Sequence, residues 1–391
     1  APEGTDELVA LYKGTYRFDD RGNVHPSDEP EPLDEEGTPH DPIDGRDGEV
    51  SWKALPELVG WKTGTDLVVQ GVARPREPVT SMEVAASVGG QRSALAVTGR
   101  RVMDRVGGKV VFSDPEPFEE LPLRWEYAYG GRDPYFEAEV LAGAEETHAE
   151  SLRRVRASYE GIYGEAAPQP MEYPRNPCGT GWVLGGDDGQ VEGREVPRIE
   201  RPDDRLTPDR ATVNNPLYWA LQPIPGGFDY VFPTHFPRSA MIGLPPASAI
   251  SFQEIPEVRR GLVPPDFCLG NAAAPGQQNP EELIHPLASR CAPYGLQLPF
   301  LHGNEEILLE GMNPDRPELH LPLPGQRPMF AIPFPGHGSI DVPGVLLLVT
   351  VNTQEHLLRM IWAARVSLRS PLSDDRRLEL EETIQIRMQE V

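Results

Sequence analysis

Cysteine is scarce in this chain. Its 391 residues include three, Cys178, Cys268 and Cys291. An odd count with no CxxC pair and no metal-like spacing argues against a disulfide scaffold or a zinc framework, and fits reduced, mostly buried thiols. Basic charge is also in short supply. The 36 Lys and Arg face 61 Asp and Glu, for a net charge of −25. Such a surface repels phosphate backbones, so no nucleic-acid partner is expected. Long apolar runs are missing too. The longest, Val345–Val349, is far too short to span a bilayer, and no membrane insertion is expected. No basic-then-apolar signal segment opens the chain, which begins at Ala1 rather than Met. The cytoplasm is the expected location.

The motifs of common chemistries are missing as well. There is no GxxxxGK[ST], no strand-linked GxGxxG and no GxSxG elbow. Gly336-His337-Gly338-Ser339 is only a loop that carries a serine. The nine histidines are scattered singly, and His302 and Glu305 lack the second histidine of a zincin helix. Adjacent carboxylates such as Asp187-Asp188 and Asp374-Asp375 sit in polar turns. They do not face one another across a cleft, as glycosidase carboxylates must. Cys178 has only Arg175 nearby to lower its pKa, so a structural thiol is expected. No catalytic, cofactor or metal residue is assigned.

What is abundant is proline and glycine, 44 and 38 residues, about a fifth of the chain. That is below the ~25–30 % of low-complexity disorder, and the aromatic content of 7 % can hold a folded body. The expected fold is mainly β: an antiparallel sandwich or open barrel with long, ordered Pro/Gly-rich loops and one or two helices. Alternating apolar residues and turn signals place strands at Leu8–Phe18 and Thr65–Ala73. They also place hairpins around Gly89-Gly90 and Gly107-Gly108, and strands at Val345–Val351 and across 358–368 and 378–388. Leu121, Leu123, Trp125, Tyr127 and Tyr129 alternate up to Gly130-Gly131, which predicts one aromatic core strand. Glu137–Tyr159 has the helical face of the chain. The acidic segment from Asp28 to Glu49, with ten carboxylates and one arginine, is expected to be a solvated loop. Three regions are proposed: an antiparallel β region at 1–133, a helix and loop-rich covering region at 134–340, and C-terminal strands at 341–391 that return to the β core. Together they make one intertwined domain.

In their order, LVALYKGTYRF, GWKTGTDLVVQGVARP, SMEVAASVGGQRSALAVTGRR, PLRWEYAYGGRD, YPRNPCGTGW, VPRIERPDDRL and NAAAPGQQ resemble the bacterial domain of unknown function 2169 family. The positions that carry the resemblance are Trp125, Glu126, Gly130 and Gly131; Tyr173, Pro174, Arg175, Asn176, Pro177, Gly179 and Gly181; and Asn271 and Gln277. They are expected to be structural or partner-facing. The resemblance implies a non-enzymatic adaptor or chaperone of a type VI or related contractile secretion system. Its partners would be an effector, a spike protein or a PAAR-like tip protein. Two other readings stand beside it. One is a hydrolase or carbohydrate-active enzyme with a site assembled from loops, since loops on a rigid scaffold often carry active sites. The other is a structural subunit of a phage-tail-like particle.

Overall fold

The computed structural model describes residues 7–43, 50–141, 172–173, 175–186, 189–214, 219, 221–231, 259–260, 262, 289–334, 338–368, 380 and 383–391. It is mainly β. The central sheet has six strands in the order Gln297–Leu298, Thr65–Gln70, Val345–Asn352, Leu357–Ser367, Glu7–Phe18 and Val24–Pro26. All neighbours are antiparallel except Val345–Asn352 and Thr65–Gln70, which run parallel. A five-stranded sheet follows the order Ile199–Glu200, Gln91–Thr98, Ser81–Val88, Glu306–Glu310 and Glu318–Pro322. A three-stranded sheet holds Gln326–Phe334 between Gly338–Pro343 and Gln385–Glu390.

The two larger sheets share one hydrophobic cluster. Leu67, Val349, Met360 and Trp362 from the first meet Val84, Leu95, Ile307 and Leu321 from the second. Strands that are apolar on one face bury that face in this way. No barrel closes among the described residues. Each large sheet draws strands from distant parts of the chain, so residues 65–70 pair with 348–352 and residues 85–88 pair with 307–310.

The predicted hairpins form. Ser81–Val88 and Gln91–Thr98 pair across Gly89 (φ 56°) and Gly90 (φ 81°). Met103–Val106 and Lys109–Phe112 pair across Gly107 (φ 60°) and Gly108 (φ 79°). Positive φ at both central residues is what a two-residue type I′ turn requires.

The aromatic stretch differs from its prediction. It is a short strand at Leu121–Pro122, a 3-10 turn at Trp125–Tyr127 and a short strand at Tyr129–Gly130. Its alternation breaks because Glu126 and Ala128 are buried as well as Trp125 and Tyr129. A chain enclosed on every side has no solvent face for alternation to report. The predicted helix is seen over Pro134–Leu141; residues 142–159 lie outside the described residues. The last strand, Gln385–Glu390, joins the three-stranded sheet rather than the central one.

The acidic segment is described from residue 28 to 43, and it is bonded down rather than simply solvated. Arg359 donates to Glu31 through Nε and Nη2 at 2.6 and 2.8 Å. Lys13 Nζ reaches the Pro32 carbonyl at 3.1 Å, and Thr38–Pro39 pairs with Trp52–Ala54. His40 Nε2 lies 2.7 Å from Asp229 Oδ2. Cations on the sheet surface turn a run of carboxylates into a strap, which composition alone does not reveal.

Candidate functional site

A groove of about 710 Å³ opens where the end of the central sheet meets the three-stranded sheet. Residues 60–63, 300–302, 342–345 and 347 form its walls, with Trp362 and Leu347 among its apolar lining. Trp61 and Phe300 remain 41 % and 44 % exposed there. Large rings left half in water beside a concave surface mark a binding site more than a core. The titratable side chains among the lining residues are Lys62, His302, Arg327 and Arg365, all basic. The chain as a whole has a net charge of −25, and the Lys62 ammonium is paired with Asp66. Glu7 pairs with Arg365 and Glu305 with His302. The Arg327 Nε donates to the Gly344 carbonyl at 2.7 Å.

Behind the wall at Lys62 lies a buried polar cluster. Lys62 Nζ donates to Asp66 Oδ2 at 2.7 Å and to Cys291 Sγ at 2.9 Å. Asp66 Oδ2 also accepts from the Cys291 backbone N–H at 2.6 Å and from its thiol at 3.1 Å. Arg290 Nε lies 2.8 Å from Asp66 Oδ1, close enough to pair charges although not aligned for a hydrogen bond. Its Nη2 donates to the carbonyls of Thr65 and Leu298. Gly64 leaves room for this arginine, since a Cβ there would stand 2.4 Å from Arg290 Nη1. Burial alone would push the Lys62 ammonium down, but Asp66 and Cys291 hold it above the ordinary lysine value. Burial would likewise raise the Asp66 carboxyl, and Lys62 and Arg290 hold it low.

The sequence reading missed this cluster. One signal was available. Asp66 opens a strand whose every residue is buried, Thr65–Gln70, and a buried carboxylate requires a cation. Its partner Cys291 lies 225 residues away.

The positions singled out in the aromatic and YPRNPCGTGW stretches form a second assembly. Tyr129 and Gly130 pair in parallel with Thr180 and Gly181. Gly131 N–H donates to the Asn176 carbonyl at 2.8 Å, and Tyr173 N–H to the Gly131 carbonyl at 2.9 Å. The Arg175 guanidinium is buried against Trp219 and donates to the Tyr173 hydroxyl at 2.7 Å. Pro177 and Gly181 are buried and Gly179 is half-buried. Glu126 accepts from Ser51 N–H and hydroxyl and from Arg124, which hold its carboxyl low against the opposing effect of burial. The two stretches thus fasten one another from inside. Pro174, Asn271, Gln277 and Cys268 lie outside the described residues.

A family model described as "Uncharacterized protein conserved in bacteria (DUF2169)" matches residues 3–363. The chain belongs to this family. No curated protein and no solved structure matches it. Within this DUF2169 chain, the interlocked stretches fall inside the matched span, as do all the groove's lining residues except Arg365. No group of three or more His, Cys, Asp or Glu among the described residues is arranged to hold a metal ion. No helix among them is long and apolar enough to cross a membrane.

Proposed function

We propose that this protein is a non-enzymatic adaptor that holds another polypeptide in the groove beside Trp61 and Phe300. The partner in this reading is an effector, a spike protein or a PAAR-like tip protein of a type VI or related contractile secretion system. One observation carries the reading: half-exposed aromatic rings flank a groove whose titratable lining, among the described residues, is basic, on a molecule of net charge −25. Rings supply apolar area at low entropic cost, and arginines orient carboxylates, so the two together suit a peptide segment. The β body beneath keeps the walls in place, which limits the ordering cost of binding.

The test is affinity capture from the native cell with the wild type and with the variant Trp61→Ser/Phe300→Ser. Recovery of a secretion partner by the wild type and its loss in the variant is the expected result. Recovery of no such partner, or equal recovery by both, would overturn the reading. Stoichiometric incorporation into purified particles would instead mark a structural subunit.

A further inference from the structure

Lys62 Nζ and Cys291 Sγ stand 2.9 Å apart in a buried setting. Ordinary N–H···O bonds run ~2.7–3.2 Å, and sulfur's larger radius moves N–H···S contacts a few tenths of an ångström farther out. This pair is therefore at oxygen-like distance. One oxygen atom set between nitrogen and sulfur would hold the two ends at nearly the separation they already have. From this geometry we propose that Lys62 and Cys291 are a modification site, joined under dioxygen into a covalent N–O–S cross-link.

The step balances. The Lys62 ammonium, the Cys291 thiol and one dioxygen give Lys–NH–O–S–Cys, one water and one proton. One N–O and one O–S bond form, and the O–O bond breaks. Nitrogen and sulfur each give up two electrons, and dioxygen takes all four. The released proton has a receiver in place, because Asp66 Oδ2 lies 2.7 Å from the nitrogen and 3.1 Å from the sulfur. Four equivalents of a small thiol reverse the link, yielding amine, thiol, water and two disulfides.

Proximity does most of the work here. Two groups held in contact react as if at very high effective concentration. Arg290 and the Cys291 backbone N–H fix Asp66, which fixes Lys62 in turn. Exposure ordinarily limits thiol oxidation. In this case the wall residues 60–63 put Lys62 at the boundary of the groove, which gives a small oxidant a short route. The link would tie that wall to the loop at Cys291, so groove stiffness would follow oxygen exposure.

The experiment is peptide mapping of the full chain, kept anaerobic or exposed to air, and digested after denaturation without reductant. The expected result is a cross-linked pair joining the Lys62 and Cys291 peptides, heavier than their sum by about 14 Da, one oxygen gained and two hydrogens lost. Under ¹⁸O-labelled dioxygen the gain becomes about 16 Da, and dithiothreitol returns both free peptides. Cys291→Ser and Lys62→Arg should abolish the pair, and the wild-type isotope result stands even where those variants fold poorly. An unlinked Cys291 after air exposure, a direct N–S link without oxygen, or sulfinic acid in its place would each overturn the proposal.

Discussion

Asn176 donates its side-chain amide to the main-chain carbonyls of Trp125 and Tyr129, at 2.9 and 3.1 Å, from a position with no solvent exposure. One side chain thereby closes the 3-10 turn that replaces the predicted strand. It also joins two stretches that lie some fifty residues apart.

Asn176→Ala removes both bonds; the Trp125 carbonyl keeps the Ala128 N–H at 3.0 Å, while the Tyr129 carbonyl loses its side-chain donor. An orphaned buried group costs roughly 1–3 kcal/mol. A loss of about 1–3 kcal/mol in denaturant unfolding is expected on that basis, with tryptophan fluorescence shifted as the surroundings of Trp125 loosen. An unchanged midpoint would mean the turn is held by other contacts.

Two glycine substitutions should separate steric clash from backbone strain. Gly130 has φ 147°, and a Cβ there would stand 2.1 Å from the Asn176 carbonyl oxygen. Gly130→Ala should cost about 3 kcal/mol or more, because backbone must move. Gly107 has φ 60° with nothing within 4 Å of its Cβ, so Gly107→Ala should cost only about 1–2 kcal/mol of left-handed strain. Thermal unfolding of the pair checks the order.

Stability should fall in acid. Glu126, Asp66 and Glu31 have carboxyls held below their ordinary values of 4.5, 3.8 and 4.5. A depressed folded-state pKa stabilises the fold above the unfolded value, and that gain is lost as pH falls through the folded one. Glu200 works the other way, since burial raises its carboxyl and acid relieves that cost. Asp19, Asp209, Glu305 and Glu355 are held low as well, so depressed carboxyls outnumber the raised one among the described residues and the unfolding midpoint should decline from about pH 4.5 downward. Glu126→Gln should be less stable at pH 7 by about 1–3 kcal/mol, and the gap to the wild type should narrow near pH 3. A gap independent of pH would remove Glu126 from the account.

The strap over the central sheet should come loose without its bidentate pair. Arg359→Ala deletes both bonds to Glu31, which is a third exposed. Partly exposed pairs are worth up to about 1 kcal/mol, so global stability should move little. Hydrogen exchange at residues 29–37 should rise selectively, and no change there would show that the strap is held by its other contacts: Thr38–Pro39, Lys13 on the Pro32 carbonyl, and Glu57, whose Oε2 accepts the Asp34 N–H at 2.8 Å.

Some of this protein was set by its sequence. Two-residue glycine turns between alternating runs specify the hairpins at 89–90 and 107–108, because φ, turn length and side-chain alternation are local properties. The mainly β character followed from the same repeats, and ordered motifs over most of the chain pointed to the family. The partial strand at Leu121–Gly130 was misread because alternation reports a strand only where one face meets solvent. Tertiary structure alone brought Cys291 to Lys62, set Asn176 beneath Trp125, and opened a basic groove between Trp61 and Phe300. Those juxtapositions depend on pairings hundreds of residues long, such as Thr65–Gln70 with Val345–Asn352, and loop closure on that scale leaves no local periodicity to read.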